Sequence, residues 1–233
     1  MNSYVQLINK HPGSSCFIFG AGPSLWNMMH EPFFKDIPDN GITIAVNSAV
    51  MAVPNFDYWV SNDVLCRRWS WWKDVINGKG IKVVRNSWEK YREELDDFLF
   101  FDHRPTPENI IDPEDVGLAY CSSIPSSIDL AIQMGCKKIF LFGVDQSMCK
   151  GKHHFWQSMK KDQQPVSNPS VQDSWERQQE VFSISTTALE ALNGFAKHKD
   201  VKVYNVSWKT IRGFGSKVKM FKKIEICDVR KKL

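Results

Sequence analysis

Nothing in this 233-residue sequence is apolar for long enough to span a membrane. Its longest apolar stretches, Lys138 to Val144 and Gly41 to Val46, fall well short of the roughly 18 residues a span needs. The stretch from Met1 to Lys10 has neither a basic start followed by an apolar run nor a small-residue cleavage site, which predicts a cytoplasmic protein. Six cysteines (Cys16, Cys66, Cys121, Cys136, Cys149, Cys227) form no C-x-x-C pair, and several lie in apolar runs, so they read as reduced core thiols and not as disulfides or a zinc site. There is no G-x-x-x-x-G-K-[ST] for a P-loop, no G-x-S-x-G for a serine hydrolase, and no H-x-E with P-C-x-x-C for a zinc deaminase. No D-x-D occurs either, which removes the usual carboxylate grip on a metal-bound nucleoside diphosphate sugar.

What is present suits one soluble domain: 42% hydrophobic and 24% charged residues, with no internal repeat and no Gly/Ser linker. The net charge of +4 is unevenly placed. Residues 217–233 hold seven Lys/Arg against Glu225 and Asp228, so the preceding 216 residues sum to about −1. The sequence therefore divides into a near-neutral body, 1–216, and a basic C-terminal tail.

In the body, β-rich runs alternate with helical ones. Strands are predicted at Ser15 to Phe19, Ile42 to Val46, Tyr58 to Val60, Ile81 to Val84, Phe98 to Phe101, Lys138 to Val144 and Val201 to Tyr204. Helices are predicted from Leu25 to about Phe34, Val64 to Ile76, Trp88 to Asp96, Ser123 to Met134 and Ser174 to Lys197. Residues 145–173 are polar and aperiodic, a lid-like loop. The alternation implies right-handed crossovers and an α/β Rossmann-like three-layer sandwich with a mostly parallel sheet. In such sheets ligands bind beyond the carboxyl ends of the strands.

Those ends carry the candidate residues. After the first strand, Gly20, Gly22, Pro23 and Ser24 offer a close backbone approach and a helix start for phosphate. The third glycine of the dinucleotide fingerprint is missing, and Asn47 stands where an NAD site has an acidic residue, which disfavours an NAD oxidoreductase. Asn47, Ser61, Asn62 and Asp63 could read a pyrimidine or ribose edge, or serve as ordinary turn and cap residues. Ser122 and Ser123 open a helix and could cradle phosphate. Gly143 and Asp145 end the strongest strand, and Lys150, Lys152, His153 and His154 follow in the loop. A basic, His-bearing loop there could stabilise a departing phosphate and deprotonate a hydroxyl. Arg67, Arg68, Trp71 and Trp72 combine cations with aromatics, a pairing that grips phosphate and stacks bases, or else form an amphipathic helix with inward tryptophans.

Gly20-Ala-Gly-Pro-Ser-Leu25, the Asn closing the second strand, Ser122-Ser123, Gly135-Cys-Lys-Lys-Ile-Phe-Leu-Phe-Gly-Val-Asp145 and Val203-Tyr-Asn-Val-Ser207 together resemble the bacterial lipooligosaccharide sialyltransferases of glycosyltransferase family 42. They also resemble the related motility-accessory-factor proteins and short phage homologues. The resemblance implies a GT-A-like variant of the sheet and a metal-independent enzyme whose donor is a CMP-linked sugar. By position, Asn47 and Ser61 or Asn62 are similar to its donor-contacting Asn residues, and Ser122-Ser123 to those at the cytosine and ribose. The family's paired tyrosines fall near Ser147 and His153. Its catalytic His falls in Glu180 to Ser185, which holds none, leaving His153 or His154 as the base, with Asp145 orienting it. The expected function is transfer of a sugar to a hydroxyl of a glycan, a protein or a modified base in phage DNA, in the host cytoplasm if phage-encoded. DNA would be approached through Arg67, Arg68, Trp71, Trp72 and the basic tail. The rival readings are an ATP-dependent pterin-type pyrophosphokinase, which needs carboxylates of which only Asp63 and Asp145 are candidates, and a non-catalytic binding protein on the same fold.

Overall fold

A computed structural model describes residues 3–37, 41–103, 117–119, 122–166, 175–207 and 218–233. Eight strands form one sheet: β1 (Ser15–Phe19), β2 (Ile42–Val46), β3 (Tyr58–Ser61), β4 (Ile81–Arg85), β5 (Leu99–Phe101), β6 (Lys138–Phe142), β7 (Lys202–Ser207) and β8 (Lys222–Glu225). Their spatial order is β5-β4-β3-β2-β1-β6-β7-β8. All seven pairings are parallel, with Ile18 opposite both Ile44 and Leu141 at the centre. The expected α/β sandwich is therefore what forms, and the order reverses direction between β1 and β6, which makes that junction the switch point.

The strands are apolar on both faces because both faces are covered. Cys16, Ile18, Ile44, Val60, Val83 and Leu141 face an aliphatic layer completed by α4 (Ser123–Gln133) and α5 (Trp175–His198). Their alternate neighbours, Phe17, Phe19, Phe140 and Phe142, face an aromatic layer under α1 (Leu25–Met28) and α2 (Pro32–Asp36). In it Phe17 stacks on Phe140 at 5.4 Å and Phe19 on Phe142 at 5.1 Å. A third cluster, around Trp59, Trp71 and Trp88, fills the space beneath α3 (Trp72–Asn77).

Several elements depart from the periodicity. The first helix is two short ones, because Pro32 starts a new helix at its first position and cannot continue the old. The predicted helix over Val64 to Ile76 is a 3-10 turn, Val64–Arg68, then α3, with Trp69 extended between them. Asn86–Glu94 is likewise 3-10, not α-helical. Of the long helix, Ser174 lies outside the described residues, as do Cys121, residues 167–173 of the expected lid-like loop and Lys217.

The largest difference concerns the C-terminus. Residues 218–233 are not a free appendage: Val218, Phe221, Ile224, Ile226 and Val229 are buried, and β8 is the sheet's eighth strand. Lysines interleaved with those apolar residues masked the alternation. Among the described residues, no helix is long and apolar enough to cross a membrane.

Candidate active site

A cavity of about 470 Å³ opens at the carboxyl edge of the sheet. Its floor is made by the ends of β1, β2, β3, β4 and β6 and by the start of α4. Of the sequence-predicted residues, the cavity brings together Gly22, Asn47, Asn62, Asp63, Ser122, Ser123, Gly143, Asp145, His153 and His154. Gly20, Pro23, Ser24, Ser61 and Lys152 are not among its lining.

Asn47 ends β2 in the left-handed region, φ +50°, a conformation Asn tolerates better than other residues with a Cβ. Its Oδ1 accepts from Ser123 Oγ at 3.3 Å and, weakly, from Cys66 Sγ at 3.7 Å. Among the described residues nothing takes its side-chain N–H groups, so they remain as donors at the cavity. Asn62 is anchored more firmly. Its backbone N–H donates to Ser123 Oγ at 2.9 Å, and its Nδ2 donates to His103 Nε2 at 3.0 Å and Ser126 Oγ at 3.1 Å. Ser123 thus joins the ends of β2 and β3 to the first turn of α4. Burial, with the positive charge of Arg85 nearby, lowers the His103 pKa to about 4, so the ring is neutral near pH 7 and can accept from Asn62.

Ser61 and Asp63 have local duties. Ser61 is fully buried against Cys66, and Asp63 Oδ1 caps the following 3-10 turn by accepting from Leu65 N–H at 2.9 Å. Burial, with the Asp63 charge, pushes the Cys66 thiol up, so it stays protonated. Ser122 Oγ lies 2.6 Å from Ser185 Oγ, tying α4 to α5, which supplies Val181, Phe182 and Ser185 as a wall.

The glycine-rich loop does not chiefly make room for a ligand. Gly22 packs so tightly on the turn after β6 that an added Cβ would lie 2.5 Å from Gly143 O and from Asp145 Oδ2. Asp145 in turn accepts from the Ser24 backbone N–H at 2.8 Å, which holds the loop closed. Burial raises its pKa, while the Ser24 bonds oppose the shift. Among the described residues its hydrogen bonding goes to Ser24, not to either histidine, so the expected role of orienting the base is not seen.

His153 and His154 also line the cavity. Their backbone N–H groups both donate to Gln157 Oε1, at 2.6 and 3.0 Å, and a ring nitrogen of His154 accepts from the Gln157 backbone N–H in a reciprocal cap. The His154 ring also stacks on Trp156, which meets Trp69 at 5.6 Å between centroids. Lys152 is turned away, with Nζ donating to Ser158 Oγ at 3.2 Å, and Lys150 is exposed. Neither is placed to meet a leaving phosphate in this cavity.

The DNA-gripping reading of residues 67–72 loses its aromatic half. Trp71 is buried and borders the cavity, and the half-buried Trp72 packs against Trp59 and Trp88, so neither stands out on the surface beside the arginines. Arg67 pairs with Glu94 and lies over the Tyr91 ring at 3.7 Å. The inward tryptophans of the alternative reading are what forms, though on a 3-10 turn and a short α-helix and not on one amphipathic helix.

Sequence reasoning missed Arg85, Gln146, Trp69, Trp156 and Ser185 as lining residues, and His103 behind Asn62. Arg85 and His103 follow apolar strand runs just as Asn47 does. Reading β4 as ending at Val84 hid the first of them. The positions expected to match the paired tyrosines, Ser147 and His153, both line the cavity. Among the described residues, no three of His, Cys, Asp or Glu gather as a metal-ligating group.

Strand order, switch point and edge cavity together define a Rossmann-like α/β protein with a polar site at the carboxyl ends of its strands. No protein-family model matches the sequence, and no curated protein does. Among solved structures, the fold is similar to that of the MAf glycosyltransferase from Magnetospirillum magneticum AMB-1, with a TM-score of 0.57 and 13% identity. That likeness covers 96% of this chain and 37% of the other, so the chain spans little more than a third of that protein's length. The motility-accessory-factor resemblance read from the sequence blocks thus meets a MAf protein in the fold.

Proposed function

We propose that the protein is a glycosyltransferase that moves a sugar from a nucleotide donor, CMP-linked, to a hydroxyl of a glycan or protein acceptor. One observation carries the reading: Asn47, Asn62, Ser122 and Ser123, from three elements, line the same single cavity as His153 and His154. Asn47 offers amide donors to a pyrimidine or ribose, and Asn62 and Ser123 hold each other in place beside it.

The leaving phosphate fits the N-terminus of α4. Ser122 makes no side-chain cap there, Pro125 has no N–H and the Ser126 amide returns to Ser122 O, so the backbone N–H groups of Ser123 and Ile124 are the ones left to attract an anion. This takes the part expected of Lys150 and Lys152, neither of which is among the cavity's lining residues. In the transfer step the acceptor oxygen attacks the anomeric carbon, the bond from that carbon to the phosphate oxygen breaks with its electron pair staying on phosphate, and an imidazole takes the acceptor proton. The cap on His154 occupies one ring nitrogen as an acceptor, which leaves the other as an N–H donor. His153 is therefore the better base.

Thermal shift and turnover test the reading together. CMP or a CMP-sugar raises the melting temperature, and H153A lowers transfer about a hundredfold or more while keeping that shift. Stabilisation by ATP with Mg²⁺ instead would support the pyrophosphokinase, and no response to any nucleotide would support a binding protein. If H153A and H154A both keep wild-type turnover, the base assignment is wrong.

A further inference from the structure

Arg85 closes β4 and lines the cavity, half-buried, next to the end of β3 on one side and Phe101 of β5 on the other. Among the described residues its guanidinium makes no hydrogen bond and no ion pair. That is unusual for this side chain. Five N–H donors and a fixed charge lose hydration when partly buried, and proteins normally offset that loss with a carboxylate or with carbonyls. The two nearby groups that could have served do not. Asp63 lines the same cavity but turns Oδ1 to the Leu65 amide and makes no ion pair with Arg85, and His103 is held neutral with its Nε2 facing Asn62.

We propose that Arg85 is the oxyanion receptor of this cavity, binding a phosphate or a carboxylate of the substrate. Its planar fork fits two oxygens of either group in a bidentate pair. Two carboxylates share the cavity, but Asp63 accepts from the Leu65 amide and Asp145 from the Ser24 amide, while Asn62, Ser123 and the start of α4 present neutral donors and acceptors, so a negative group entering there finds Arg85 as a counter-charge. The inference deepens the transfer reading and rests on it only for the identity of the substrate.

Matched ligand pairs separate the two sources and the two failures. Titration calorimetry compares CMP with cytidine, which differ by the phosphate, and glucuronate with glucose, which differ by the carboxylate. In the wild type the charged member of at least one pair binds about tenfold to a hundredfold more tightly than its neutral partner, and in R85M that preference collapses. A collapse confined to CMP assigns phosphate; one confined to glucuronate assigns carboxylate. The ligand-free R85M protein melts no lower than wild type, because an unpaired cation has left a half-buried site. The proposal is overturned if the wild type shows no charge preference, if the preference survives in R85M, or if R85M and R85Q both fail to fold. Should CMP bind with its preference intact in R85M, the receptor role falls and the nucleotide reading stands. Should glucuronate alone show the effect and no nucleotide bind, the receptor role stands and the CMP reading falls.

Discussion

At Asn47, conformation and chemistry can be separated by substitution. The φ of +50° is strained for alanine but not for glycine, while both remove the side-chain amide. N47A should lose about 1 kcal/mol of stability relative to N47G from the backbone alone. Both should lose the thermal shift with CMP, because neither supplies a donor to the ligand. If N47G keeps the full shift, Asn47 is a turn residue and nothing more. The histidine behind Asn62 gives a prediction about pH. His103 is depressed to about 4 in the fold by burial and by Arg85, while an unfolded chain protonates it near 6.5. Between these values the unfolded state binds the extra proton, so stability falls as pH drops from about 6.5 toward 4 and this contribution is flat below that. Asparagine at 103 cannot titrate and can still meet Asn62. Melting curves of H103N should therefore fall less steeply than wild type over that window. Equal slopes would mean the ring is protonated in the native state. None of this was legible in the sequence, which shows that an Asn or a His follows a strand but not what it faces.

Among the elements, the contact between the β1 and β6 turns is the most sharply determined. Gly143 has φ +63°, and a Cβ there would lie 2.6 Å from Gly20 O and 2.8 Å from Leu25 Cβ, with backbone as the obstacle. G143A meets both the left-handed penalty and the clash, so it should cost more than about 2 kcal/mol in urea denaturation. G22A meets a backbone clash as close, 2.5 Å from Gly143 O, but no left-handed penalty, and should cost less. An ordering reversed from this would show that the two turns separate more easily than their packing suggests. Strands β1, β2 and β6 were readable because short runs of apolar and β-branched residues, Cys16 to Phe19, Ile42 to Val46 and Ile139 to Phe142, have few other fates in an alternating α/β pattern. The 3-10 stretches at Val64–Arg68 and Asn86–Glu94 were not, since each buries a single side chain, Cys66 or Trp88, which a helical period and a folded-back turn satisfy equally. Periodicity reports which side chains are buried, while the ladder that buries them is set by caps such as Asp63.

For the whole molecule, the charge asymmetry takes a different meaning once the C-terminus is folded. An edge strand exposes a row of unpaired N–H and C=O groups that another chain can join, and lysines are a common protection against this. Strand β8 is such an edge, paired only to β7, and Lys222 and Lys223 on it are exposed while Ile224 is buried. The charges of Lys222 and Lys223 thus have a reading as edge protection that needs no acidic partner. Deleting the segment cannot test this, because it would strip Phe221, Ile224 and Val229 from the core. Replacing the two lysines can. K222T/K223T keeps β propensity and solubility of the single strand but removes the repulsion, so light scattering coupled to size-exclusion should show association at concentrations where wild type is monodisperse, with little change in melting temperature. The nucleic-acid reading predicts another outcome: the same variant would stay monodisperse and lose retention on DNA at low salt, with a shallower salt slope. The two results depend on opposite properties of the same lysines, repulsion between copies in one and attraction to phosphate in the other, so a single variant decides between them.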